Sequence, residues 1–101
     1  MSPDRRGEAA AIFTTHGVLD AATTIGAARA AGVNAEANPV VRGLLELGEL
    51  PTALVMLAAV TVCCLAWPTA ADALDVSPWV GFGVALIGAV VVAINLVVIL
   101  T

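Results

Sequence analysis

HGVLDAATT, residues 16–24, places polar side chains inside an otherwise apolar run near the start of the chain. At about 100° per residue, His16, Asp20, Thr23 and Thr24 fall on one helical face roughly 100° wide. An Asp side chain at the centre of a bilayer costs about 2.5–3.5 kcal/mol on insertion scales. We therefore expect this face to meet protein, water or an ion rather than lipid.

The composition of the whole chain favours a bilayer over water as its surroundings. Apolar residues make up 60% of the 101 residues and charged residues 12%, and the mean hydropathy is +1.02. Soluble domains carry about 25% charged residues. The net charge of −4 argues against a nucleic-acid partner, because phosphate binding needs clustered Lys and Arg. The absence of Lys and the excess of acids predict a halophilic archaeal source.

The distribution of apolar segments predicts the fold class. We predict an all-α integral membrane protein, a single domain over residues 1–101, with three transmembrane helices and a short amphipathic helix between the first and second. The predicted transmembrane segments are residues 9–31, 51–67 and 79–101. Residues 1–8 form a polar N-terminus, and residues 68–78 form a loop.

The amphipathic segment, residues 40–50, separates charged from apolar side chains on a helical wheel. Arg42 and Glu46 lie on one arc, and Val40 and Leu44 lie on the other. We expect this helix at the membrane interface. Asn38 is its predicted cap, and Pro39 suits the first turn because a proline there loses no hydrogen bond.

An odd number of spans places the two termini on opposite sides of the plasma membrane. Arg5 and Arg6 then lie on one side, and Arg29 and Arg42 lie on the other. Positive charges mark the cytoplasmic side of membrane proteins, but here the two sides are balanced. We favour a cytoplasmic N-terminus.

Three hypotheses explain the polar face. In the first, Asp20, the threonines and Asn95 of the last segment tie helices together through hydrogen bonds. In the second, Asp20 and Glu36 bind or relay a cation or proton, since carboxylates and hydroxyls suit such ions. In the third, His16 and a carboxylate form an acid–base or metal pair; the identity of any metal is open.

Small side chains form two further patterns. Cys63 and Cys64 are predicted to be small buried hydrophobes, with a vicinal disulfide or a thiol ligand as the alternative. Small residues at every fourth position let helices approach closely, which is compatible with oligomerisation. They occur on the first and last spans at Ala22, Gly26 and Ala30, and at Gly81, Ala85 and Ala89.

Two short motifs carry a family resemblance: DxxTT at residues 20–24 and ExNP at residues 36–39, separated by a helix-ending glycine. Across about residues 12–48, the chain resembles an uncharacterised family of small polytopic membrane proteins frequent in haloarchaea. The resemblance implies an integral membrane protein and no particular activity. The family positions that it implies are Asp20, Thr24, Glu36, Asn38 and Pro39.

We expect a small non-enzymatic membrane protein that acts as an accessory or structural subunit of a membrane assembly. Its partners are the bilayer and other membrane subunits or further copies of itself, and we expect no cofactor. The alternative is a cation- or proton-translocating module that uses Asp20 and Glu36. The predicted polar residues are His16, Asp20, Thr23, Thr24 and Asn95, followed by the loop residues Glu36, Asn38 and Pro39.

Overall fold

The computed structural model describes residues 3–101, and this part of the chain is helical without a strand, which confirms the all-α prediction. Pro3–Ile12 (α1), a π-helical segment over Phe13–Leu19 and Asp20–Ala31 (α2) follow one another without a break and together form the first helix. The remaining helices are α3 (Pro39–Leu47), α4 (Glu49–Ala73) and α5 (Pro78–Leu100).

The first helix is the centre of the bundle. It packs against both α4 and α5, whereas α4 and α5 make few direct contacts with each other. Glu8 lies beside Gly81, and Gly26 lies beside Ile99, so α5 runs parallel to the first helix. The C-terminal ends of the first helix and α5 therefore lie at the same end of the bundle.

Helix α4 runs antiparallel to the first helix. Arg5 binds Asp72 near the end of α4, and Arg29 binds Glu49 at its start. The short helix α3 packs against α4 next to Glu49. The bundle measures 41 × 25 × 18 Å, so its long dimension exceeds the hydrocarbon thickness of a bilayer, about 30 Å.

Among the described helices, α4 and α5 are long and apolar enough to cross a membrane. The segment predicted over residues 9–31 is not among them. The π segment interrupts its α-helix, and Asp20, His16 and the threonines lower its hydropathy. Most side chains in the apolar stretches of α4 and α5 are exposed in the isolated chain.

Glycines and capping side chains set the helix ends. Gly32 (φ +89°) ends the first helix, and Gly48 (φ +138°) separates α3 from α4; both φ values lie in the region that glycine adopts without strain. Asn38 Oδ1 accepts hydrogen bonds from the Val40 and Val41 N–H groups, as predicted for the cap of α3. Ser77 caps α5 by accepting from the Trp79 N–H.

Helix α4 is longer than the predicted segment over residues 51–67. It begins at Glu49 and continues through Pro68 to Ala73, so the predicted loop over residues 68–78 shortens to residues 74–77. Proline interrupts one helix hydrogen bond, but Pro68 is fully buried. Its packing compensates for that loss.

The two cysteines differ in their surroundings. Cys64 is buried in a cluster with Ile12 and Ala85, while Cys63 is exposed, and both are free thiols. The prediction that both are buried is therefore wrong for Cys63. Neighbouring residues on a helix point about 100° apart, so both cannot face the first helix.

The seam between α5 and the first helix consists mainly of small side chains. Gly81, Ala85, Gly88 and Val92 are buried there, while Ala89, which belongs to the predicted small-residue pattern, is exposed. A Cβ atom at Gly88 would lie 2.7 Å from the Thr15 hydroxyl and 2.7 Å from the His16 ring. Gly88 therefore allows the π segment and α5 to approach each other.

We predict that Gly88→Ala lowers the free energy of unfolding by about 1–3 kcal/mol, because the added methyl group overpacks the seam. Gly83→Ala is the matched control on the same helix, since a Cβ atom there meets open space. It should be neutral or slightly stabilising because alanine favours helix. Unfolding in one detergent compares the two variants, and equal effects would contradict this seam.

Candidate functional site

The polar centre of the bundle consists of Asn95 on α5 and three side chains of the first helix. The Asn95 Nδ2 lies within hydrogen-bond distance of three oxygens: Thr23 Oγ1 at 3.0 Å, Thr24 Oγ1 at 3.2 Å and Asp20 Oδ1 at 3.5 Å. The two N–H groups of this amide are thus shared among three oxygens of the neighbouring helix. The sequence interpretation had placed these four residues together as a helix-tying group.

Local hydrogen bonds complete the polar centre. Thr24 Oγ1 donates to Asp20 Oδ1 at 3.0 Å, and Thr23 Oγ1 donates to the Leu19 carbonyl at 2.7 Å. Each hydroxyl therefore donates within its own helix and accepts from α5. Thr24 is buried and Asp20 half-buried. A carboxylate in this position is held by donors from both helices.

His16 forms its hydrogen bond outside the polar centre. Its Nε2 is 2.7 Å from the Val84 carbonyl of α5, and since a carbonyl only accepts, Nε2 carries the proton. The predicted common face with Asp20 assumed an α-helix. The segment that holds His16 is π-helical, with more residues per turn than an α-helix, and the His16 hydrogen bond goes to α5 rather than to the polar centre. His16 is instead a second link between the first helix and α5.

The ExNP motif forms the turn into α3. Glu36 Oε1 accepts from the Asn38 N–H at 3.0 Å, and Asn38 in turn caps α3. Pro39 occupies the first turn of that helix. Each of the three residues therefore has a local structural task, and none of them hydrogen-bonds the polar centre.

A cavity of about 210 Å³ lies between the last turns of the first helix, the loop that follows it and α5. Glu36 and Asn95 are the polar side chains among its lining residues. The walls are otherwise small or aliphatic, with Ala27 and Ala28 on the first helix and Val91 on α5. We call this space the C-terminal cavity. It connects Glu36 with the polar centre through Asn95, and Asp20 does not line it.

An ion cluster built on a buried Arg5–Glu8 pair closes the opposite end of the bundle. The Arg5 guanidinium donates from Nε to Asp72 Oδ1 at 3.0 Å and from Nη1 to Glu8 Oε1 at 3.1 Å, and Nη2 donates to the Val76 carbonyl. Glu8 is completely buried, and Arg5 is 6% exposed. A Cβ atom at Gly81 would overlap the Glu8 carboxylate.

Burial lowers the pKa of the Arg5 guanidinium, but its hydrogen bonds to Asp72 and Glu8 and their negative charges raise the pKa by more, so that it lies above its ordinary value. Arg5 therefore stays charged. In the sequence, these residues fall in the predicted polar N-terminus and the predicted loop. The available signal was the i,i+3 spacing of Arg5 and Glu8, which pairs charges on a helix.

Among the described residues, no group of three His, Cys, Asp or Glu side chains could hold a metal ion.

The ion pair between Arg29 and Glu49, with Arg29 Nε 2.7 Å from Glu49 Oε1, is exposed. Exposed pairs contribute about 0–1 kcal/mol, so this pair positions helix ends rather than holding the fold together.

We predict that Asn95→Asp lowers the free energy of unfolding by about 1–3 kcal/mol, because the donor of the polar centre becomes an acceptor next to Asp20. Asn34→Asp adds the same charge at an exposed site and should have little effect. Denaturant unfolding at neutral pH in one detergent tests both variants. Similar losses would mean that the amide does not link the helices.

Comparison with known proteins assigns the chain to a family. No curated protein and no solved structure gives a significant match. A family model described as a domain of unknown function, DUF5658, matches residues 11–101. The match extends beyond the residues 12–48 that carried the resemblance, and it includes α4 and α5. The chain belongs to this family of unknown function, DUF5658.

Proposed function

We propose that this protein is an integral membrane protein with three spans and acts as a non-enzymatic structural subunit of a membrane assembly. The observation that carries the proposal is the distribution of polarity. Large apolar side chains of α4 and α5 are exposed, including Leu54, Val62, Leu86 and Ile94, while buried positions include Arg5, Glu8 and two threonines. Such a surface needs an apolar environment.

The charges support a membrane-spanning role for the first helix as well. At about 1.5 Å per residue, Glu8 and Arg29 are separated by roughly 30 Å, the thickness of the hydrocarbon core. Asp20 is the only Asp, Glu, Lys or Arg between them. Its hydrogen bonds to Thr24 and Asn95 and its place between α4 and α5 shield it from lipid.

The interior polar groups support a structural role. Asn95 and His16 each form hydrogen bonds that link the first helix to α5. Such bonds average about 0.6 kcal/mol in membranes, but they select one helix register. An inorganic-cation module based on both carboxylates has less support, because Asp20 bonds within the polar centre whereas Glu36 lies in a loop.

An open groove supports association with further helices. Because α4 and α5 barely touch, they leave a groove of about 360 Å³ with the first helix as its floor. Met56, Ala59 and Val84 line its walls, and His16 lies in it. Apart from His16, the lining side chains are apolar, so apolar side chains of a transmembrane helix from another subunit or copy can pack into the groove.

The proposal includes a multi-pass location in the plasma membrane with a cytoplasmic N-terminus.

The excess of eight acidic over four basic residues and the absence of Lys support a halophilic archaeal source. The small size supports an accessory role, since three helices built from 101 residues enclose little volume for a substrate.

Native mass spectrometry of the protein released from native membranes tests the assembly proposal. We expect masses of multiples of the chain or of a complex with other membrane proteins. Ala59→Trp fills the groove and should reduce the complex, whereas the control Ala58→Trp, one position away on the same helix, should not. A monomer that carries lipid only, in each of these variants and in the unaltered protein, would contradict the proposal.

A further inference from the structure

We propose that the C-terminal cavity binds a small organic ammonium ion, with the cationic group at Glu36 and Asn95 and the apolar body against the aliphatic walls. This proposal goes beyond the structural role proposed above and does not depend on it. Its volume of about 210 Å³ is sufficient, since an apolar cavity of about 150 Å³ holds benzene.

The side chains of the cavity favour a positive ligand. Glu36 brings a carboxylate, and its Oε1 already accepts from the Asn38 N–H. The Asn95 amide nitrogen is engaged with the first helix, which leaves its carbonyl oxygen as the group that can receive a ligand's N–H. The residues that line the cavity, all of them described, include no basic side chain.

Helix dipoles add to this preference. The first helix ends at Ala31 and α5 ends at Leu100, and both helices run in the same direction. Their C-terminal ends therefore meet near the cavity, and each carries about half a negative charge. Arg29 is the cation nearest in sequence to this region, but its guanidinium is engaged by Glu49 on the other side of the first helix.

The residues that line the cavity favour an organic cation over a metal ion. Ca²⁺ takes six to eight oxygen ligands, commonly from several carboxylates, whereas this cavity offers one carboxylate and one amide side chain. Ala27, Ala28, Val91, Ile94 and Val98 supply an apolar surface beside them. An ammonium group on a short aromatic or alkyl body matches both features.

Benzylammonium is a suitable probe, and the neutral benzyl alcohol has nearly the same shape. Titration calorimetry of the full chain in nanodiscs of zwitterionic lipid, at constant ionic strength, should show saturable binding of benzylammonium to one site. Binding of benzyl alcohol should be about tenfold weaker or more, since its hydroxyl can donate to the Glu36 carboxylate but brings no positive charge to it.

Glu36→Gln removes the charge but retains an oxygen that can accept from the Asn38 N–H, so the loop should keep its conformation. We expect it to weaken benzylammonium binding about tenfold. Glu46→Gln, an exposed carboxylate on α3 at the same end of the bundle, should leave binding unchanged. Ala28→Leu fills the cavity and should abolish binding while Glu36 remains.

Four results would overturn the proposal. Binding without saturation, or equal binding of the alcohol, would exclude a cation site. An equal loss in Glu46→Gln would mean general attraction to a negative surface. Full binding in Ala28→Leu would place the probe outside the cavity.

Discussion

A carboxylate halfway along the first helix, Asp20, has to find hydrogen-bond donors inside the bundle, because the surrounding helices offer mostly aliphatic side chains. Thr24 donates from within the same helix and Asn95 from α5. This requirement brings the first helix and α5 together in one register. Gly81, Gly88 and Ala85 then allow the close approach that the register demands. The order of the helices follows, since the most polar helix lies between the two most apolar ones.

At each end of the bundle, an arginine of the first helix binds a carboxylate of α4. Arg5 gathers Glu8, Asp72 and the Val76 carbonyl at one end, and Arg29 holds Glu49 at the other. Arg5 and Glu8 of the first cluster are buried, where an unpaired charge would be costly, while the second pair is exposed and contributes less. In the proposed membrane setting, both lie where the helices leave the hydrocarbon core.

Local patterns in the sequence predicted much of this architecture. Hydropathy indicated α4 and α5, and the Asn38–Pro39 pair indicated the start of α3. The side chains of the polar centre could be proposed because Asp20, Thr23 and Thr24 share a helical face. The contacts of Arg5 with Asp72 and Val76 could not be predicted from local patterns, because the partners are separated by 67 and 71 positions in the chain. The π segment could not be predicted, because it has no signature in apolar periodicity. The predicted span ends at residue 67 because a proline follows, whereas α4 continues through the buried Pro68.

The most direct measurement asks whether the first helix crosses the membrane, since its hydropathy alone does not mark it as a span. Cys63 and Cys64 are replaced by Ala, and single cysteines are introduced by Arg6→Cys and Asn34→Cys, both at exposed positions. Labelling with a membrane-impermeant maleimide in sealed, uniformly oriented vesicles then reports the side of each residue. The account predicts labelling of the two positions from opposite sides. Labelling of both from the same side would contradict it, because the first helix would then lie outside the hydrocarbon core.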